Sequence, residues 1–175
     1  MKKILLLVLL LFTIPMHSQQ KNNRYTQFDI STPLKGNSTY GEIDINGIRS
    51  DYRLLPDGLS LKYGVGFHHE KWVSIGLQTG IDWIATQKLV AVPVFANFKL
   101  SPKVSEDVRV YTQVGYGKSF GIGTGSLIGI YTKISLGVEN NEGVSLFIQV
   151  SDFGMQFVNI ESVASLSIGI SIVTF

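Results

Sequence analysis

The chain has no cysteine. That excludes a disulfide framework, a thiolate metal site and a lipid-anchor cysteine. Charge is sparse. Asp, Glu, Lys and Arg make up 16% of the residues, against roughly 25% in ordinary soluble proteins. No apolar run after the first segment reaches the ~20 residues of a membrane-spanning helix, and no sustained helical periodicity occurs. A basic field is also missing. Lys+Arg number 15 and Asp+Glu 13, and two of the lysines, Lys2 and Lys3, lie in a segment expected to be removed. The mature balance is then 13 against 13, which argues against nucleic acid as a partner, because phosphate binding needs excess positive charge.

That first segment reads as an export signal. Met1-Lys2-Lys3 forms a positive start, Ile4 to Ile14 an apolar core broken only by Thr13, and Ser18 a small residue suited to precede cleavage. The sequence predicts a signal peptide over 1–18 and a single domain over 19–175.

What recurs in that domain is period two, the mark of strands with two different faces. Leu59, Leu61, Tyr63, Val65 and Phe67 alternate with Ser60, Lys62, Gly64, Gly66 and His68. The same pattern runs through 73–83, 90–100, 108–117, 128–138, 144–151 and 165–172. These segments have roughly the 9–11 residues of a membrane-crossing strand. An eighth strand must come from before Gly58. Tyr25–Leu34 is favoured over Thr39–Ile48 for its better apolar face. Connections are expected to alternate between longer outer loops, at 35–57, 84–88, 118–126 and 152–163, and shorter inner turns at His69-Glu70-Lys71, Ser101–Asp107 and Asn140-Asn141-Glu142. Trp83 and Tyr116 fall toward the outer ends of the apolar face and Phe67 and Phe98 toward the inner ends, as expected of two aromatic girdles.

Alternation does not say which way the apolar face points. In a soluble lipocalin-type barrel it points inward, toward an apolar ligand. In a membrane barrel it points to lipid. Here the polar faces carry Gly64, Gly66, Gly76, Gly80, Gly115, Gly117, Gly137 and Gly169 beside Phe95, Tyr111, Tyr131 and Phe147. Glycine weakens a solvent-facing strand, whereas inside a narrow barrel it makes room for large neighbours. The expected fold is therefore all-β, an antiparallel up-and-down membrane β-barrel of about eight strands.

With its signal peptide, alternating strands and final aromatic residue, the chain resembles the small outer-membrane β-barrel proteins of Gram-negative bacteria, similar to the transmembrane domain of OmpA-like proteins. The Ser18-Gln19-Gln20 region resembles signal peptides of the Bacteroidota. The resemblance implies outer-membrane location, with outer-membrane lipid and the barrel assembly machinery as partners. Such barrels end in Phe with apolar residues at every second position before it. Phe175 and Val173 match, while Ser171, Gly169 and Ser167 do not. A bulge near Val173 would reconcile the two parities.

Several motifs tempt and fail. Gly117-Lys118-Ser119 lacks the glycine that a phosphate loop needs five positions earlier, where Thr112 stands, and reads as a strand running into a loop. Gly121-Ile122-Gly123-Thr124-Gly125 lacks the strand–helix setting of a dinucleotide site. His68 and His69, adjacent on a strand, point to opposite faces and read as a polar turn. Both lie at the inner end, away from where a lipid hydrolase would need its histidine. No enzyme activity, cofactor or metal is expected. The inward polar set comprises Lys62, Asp82, Lys99, Arg109 and Lys133, joined by Asp29 if the first strand is 25–34, and Lys62 is expected to approach Asp82. Candidate loop contacts are Tyr40, Tyr52 and Arg53 in the first outer loop and Phe153, Met155 and Phe157 in the last. Three functions fit this pattern: a structural or loop-binding barrel, a narrow porin-like channel for small solutes, and a soluble periplasmic barrel.

Overall fold

A computed structural model describes residues 23–41, 49, 51–122, 128–155 and 163–175. The predicted signal peptide, most of the 39–48 segment and Phe157 lie outside the described residues.

Nine strands follow one another without a helix among the described residues: β1 (Arg24–Gly36), β2 (Leu54–Pro56), β3 (Gly58–His69), β4 (Val73–Ile84), β5 (Leu89–Leu100), β6 (Val108–Ile122), β7 (Ile128–Asn140), β8 (Val144–Asp152) and β9 (Ala164–Thr174). Each wall strand pairs antiparallel with its neighbour, and β9 pairs back onto β1, so the sheet closes. Eight strands make the wall. β2 only continues β3 past a bulge, where the Asp57 amide donates to the Pro33 carbonyl at 2.7 Å. A bulge suits this place because Pro33 has no N–H to offer a regular ladder. Gly58 is required beside it, since a Cβ there would run into the Trp83 carbonyl oxygen.

The stagger of the closed ring follows from the register. A row of cross-strand partners leaves Arg24, passes Phe67, Ile75, Phe98, Val114, Ile134, Val150 and Leu166, and re-enters β1 at Leu34. The offset is ten residues. With strands ~4.7 Å apart and a rise of ~3.3 Å per residue, it tilts the strands by about 41°. A twelve-residue strand such as β3 then spans about 30 Å of height, enough for the ~25 Å apolar band of a membrane barrel.

The alternation sorts the faces as the sequence predicts. Leu77, Ile134, Leu136, Leu146, Ile148 and Ile170 all point outward and are at least half exposed. Their in-between neighbours Gln78, Lys133, Ser135, Ser145, Gln149 and Ser171 are buried inside. Trp83, Tyr116, Phe67 and Phe98 are all exposed on the outer wall, but Tyr116 stands in the middle of its strand and not at the outer end, because β6 runs on to Ile122. An apolar outside around a polar inside is the membrane arrangement and the reverse of a soluble barrel.

Three features of the strands differ from a plain reading of the alternation. β6 continues through Lys118 and Ser119 to Ile122, so the 118–126 segment begins as strand, not loop. Its partner β7 holds it there by continuous pairing from Val108↔Asn140 to Phe120↔Ile128. No bulge forms at Val173: β9 pairs without interruption on both sides. Val173 is buried inside while Ile172 and Thr174 face out. The parity thus stays that of Ile172, and Phe175 turns toward the inner mouth, edge-on to His68 at 4.8 Å. The ladder between β4 and β5 lapses between Thr79↔Val94 and Asp82↔Ala91. Pro93 stands in that gap and has no N–H to donate.

Candidate functional site

The interior is arranged in levels. Near mid-height, Lys62 on β3 donates to Asp82 Oδ1 on β4 at 2.7 Å and to Ser60 Oγ at 2.6 Å. Ser60 also donates to Asp82. The cause is the pairing: Ser60 lies opposite Asp82 in the β3–β4 register, and Lys62 is one inward position along. Across the lumen, Lys133 on β7 donates to Gln78 Oε1 at 3.0 Å and lies 3.7 Å from Asp29 Oδ2 on β1. Gln27 donates to Asp29 at 2.8 Å and accepts from Gln113 at 3.3 Å. These contacts tie opposite walls together through the barrel axis.

Toward the inner end, Lys99 on β5 pairs with Glu139 on β7, and its ammonium sits 4.1 Å from the centre of the Tyr111 ring. Arg109 is only half-buried. It stands at the inner rim and donates to the carbonyls of Lys71 and Ser101 at 3.2 and 3.3 Å. The fully enclosed charges therefore balance, with Lys62, Lys99 and Lys133 against Asp29, Asp82 and Glu139. A buried charge left alone would cost several kcal/mol, and each of these has an opposite partner.

The outer half is different. Ile84, Leu89, Ala91, Phe95, Tyr131, Phe153, Met155 and Val163 form one buried apolar cluster. Phe153-Gly154-Met155 leaves β8 and enters the mouth. Ser119 Oγ donates to the Phe153 carbonyl at 2.6 Å, and the Phe153 amide donates to Val163 at 2.9 Å. Gly129 on β7 admits this segment, because a Cβ there would strike the Phe153 carbonyl. The Tyr131 ring lies 4.8 Å from Phe95 and 5.4 Å from Phe153. The side chains of this cluster pack together in the lumen's outer half.

This corrects one expectation. Phe153 and Met155, predicted as exposed loop contacts, are both buried inside the barrel. Their alternation with Gly154 resembles an exposed loop tip, but it follows an inward turn at Asp152, whose carboxylate accepts from the Gly154 amide at 2.9 Å. Tyr40, Tyr52 and Arg53 are exposed at the outer rim. The Arg53 guanidinium lies 5.2 Å over the Tyr40 ring, and the Asn37 amide donates to the Arg53 carbonyl. At the same rim Asp57 accepts from Thr86 N at 3.0 Å and from Thr86 Oγ1, and Lys35 lies 3.6 Å away.

Sequence reasoning missed Glu139, the partner of Lys99. Its parity was the available signal, since Lys133, Ser135, Gly137 and Glu139 share one face. Among the described residues no three metal-ligating side chains converge.

No known protein-family profile matches this chain, and no curated protein matches it in sequence. Solved structures do resemble it. The crystal structure of Neisserial surface protein A (NspA) superimposes with a TM-score of 0.59 at 11% identity, covering 87% of this chain and 97% of that one. A chain from the de novo design of transmembrane β-barrels covers 90% of this chain and 100% of its own at 12% identity, with a TM-score of 0.45. At such identity the likeness to NspA concerns the fold alone, and it agrees with the closed register and the inverted polarity. The chain folds as an eight-stranded antiparallel membrane β-barrel.

Proposed function

We propose that this protein is an integral outer-membrane barrel with a structural or loop-mediated binding role, and that it is neither an enzyme nor an open channel. One observation carries the reading: a closed ring, apolar outside, encloses a charge-balanced interior whose outer half is filled by the Phe95–Tyr131–Phe153–Met155 cluster. A ring with every strand paired satisfies its backbone in lipid. A lumen filled by side chains favours a scaffold over a conduit. The described outer-rim groups Tyr40, Tyr52 and Arg53 offer the surface for binding. The reading includes export with removal of residues 1–18, and insertion into outer-membrane lipid by the barrel assembly machinery.

Gel mobility of the protein in isolated outer membranes, boiled against unboiled, tests it. Different mobility in the outer-membrane fraction is expected. Release with the soluble periplasm would overturn the reading.

A further inference from the structure

The apolar belt on the outer wall is not equally tall around the ring. Its height on each strand is set by the outermost and innermost large apolar side chains that face out. Strands with the tilt derived above gain about 2.5 Å of height per residue. On β6 the outward apolar face runs from Val108 to Ile122, interrupted at Thr112 and Lys118, and spans about 35 Å. The flanking faces, Val90 to Leu100 on β5 and Ile128 to Val138 on β7, span about 25 Å. Across the ring the face is far shorter among the described residues. Val144 to Val150 on β8, Leu166 to Ile172 on β9 and Phe28 to Leu34 on β1 each span about 15 Å.

The short wall has local causes. The next outward position on β8 after Val150 is Asp152, opposite Thr132 on β7. Beyond it the chain turns into the lumen, where Phe153 is buried. At the inner end, Thr174 on β9 stands opposite Thr26 on β1, both on the outward parity, and Arg24 lies one outward position below Thr26. Polar side chains thus edge the wall above β8 and below β1 and β9. A bilayer's hydrocarbon core is about 30 Å thick. The β6 side spans that core. Against the β8–β9–β1 side, a bilayer of that thickness would cover the polar edges with hydrocarbon, and the bilayer responds to such a mismatch by thinning.

We propose that the β8–β9–β1 wall is a lipid-selecting surface, which thins the bilayer beside the seam and gathers phospholipids with short acyl chains. The β6 wall takes lipids of ordinary length. The proposal rests on the membrane-barrel reading above and adds to it the class of lipid that each wall takes.

Two reporter tryptophans test it, each placed alone in a Trp72→Phe/Trp83→Phe background. Val114→Trp reads the β6 wall and Ile170→Trp the β9 wall. They lie at the same level. The row of cross-strand partners from Val114 reaches Leu166 on β9, raised by about four residues through the stagger of the ring, and Ile170 lies as far back toward the inner end. The refolded barrels are placed in vesicles that mix brominated dioleoyl phosphatidylcholine with unbrominated dimyristoleoyl phosphatidylcholine. Relief of quenching reports which lipid lies against each tryptophan, and only chain length differs between the unbrominated competitor and a dioleoyl control. At Ile170→Trp the shorter lipid is expected to be preferred about threefold, and at Val114→Trp not at all. Adding Thr26→Ile and Thr174→Ile lengthens the belt at the seam by one outward position on each strand. It is expected to halve the preference at Ile170→Trp and to leave Val114→Trp unchanged. Equal chain-length preference at the two walls overturns the proposal, as does a preference at Ile170→Trp that the isoleucine pair does not reduce. Phe28→Trp and Tyr116→Trp, aromatic for aromatic, repeat the reading on the same two walls where a first reporter does not fold. Each protein is first run boiled and unboiled. A wild type without a mobility shift refutes the membrane barrel itself, whereas a shifted barrel whose two walls take the same lipids refutes only the selection.

Discussion

The Lys62–Asp82 pair offers the sharpest test of the enclosed charge network. Lys62 Nζ sits 2.7 Å from Asp82 Oδ1 and also bonds Ser60. At that separation the gross attraction is about 6 kcal/mol with an effective dielectric constant of about 20. Desolvation of both ions offsets most of it. The single variant Lys62→Met leaves the Asp82 carboxylate enclosed with only the Ser60 hydroxyl, and should cost about 3–5 kcal/mol. Asp82→Asn should cost somewhat less, because the amide still accepts from Lys62. The double variant should cost clearly less than the sum, with a coupling of about 2 kcal/mol, since it strands neither charge. The assay is urea unfolding of the barrel in phosphatidylcholine vesicles, followed by tryptophan fluorescence and by the gel-mobility shift. A loss below about 1 kcal/mol for Lys62→Met, with additive effects in the double variant, would show that the carboxylate is not held as an ion by its neighbour, and the reasoning would fail.

Three further outcomes are expected. Gly129→Val places a side chain where the Phe153 carbonyl lies, so it should drive the 153–155 segment out of the mouth, and single-channel recording should find openings that the wild type lacks. Phe153→Ala should cost about 3 kcal/mol as a core truncation, while Tyr52→Ala, fully on the surface, should stay within about 0.5 kcal/mol in the same unfolding assay. In a Trp72→Phe variant, Trp83 reports alone. It should be quenched more by lipids brominated near the carbonyls than at the chain ends, because it is exposed at the outer end of β4. Equal quenching at both depths would remove the outer girdle.

How much of this was readable beforehand follows from what a period of two encodes. Parity is strictly local, so the inward positions of Lys62, Asp82, Lys99 and Lys133 could be read from their neighbours alone. The closeness of Lys62 and Asp82 needed only a short hairpin, which the His69-Glu70-Lys71-Trp72 turn provides with left-handed Glu70 and Lys71. Contacts between distant strands were out of reach. The Lys99–Glu139 pair joins β5 to β7 across the lumen, and the Lys133–Asp29 pair joins β7 to β1. Both depend on the ten-residue stagger, a property of the closed ring and not of any segment. Phe153 and Met155 misled for another reason. Beyond the end of a strand, parity no longer applies, and apolar residues in a connection read alike whether they hang outside or turn inward. The sequence pattern stops β6 short because Lys118 and Ser119 interrupt the apolar alternation, one as a lysine on the outward face between Val94 and Ile130 and the other by bonding inside.

The seam between β1 and β9 has a kinetic consequence. Thr26 pairs with Thr174, so the last ladder joins residues separated by nearly the whole described chain. Bringing such remote segments together costs about 4 kcal/mol of loop-closure entropy, and no local contact repays it in advance. Until that seam forms, β1 and β9 each present a bare row of amides and carbonyls to a medium with no water to satisfy them. The curved, unclosed sheet is therefore the high point of the folding barrier, and anything that lends a temporary strand to either edge acts as a catalyst of closure. Once closed, the seam shares its load with seven others, and the ring opens only as a whole.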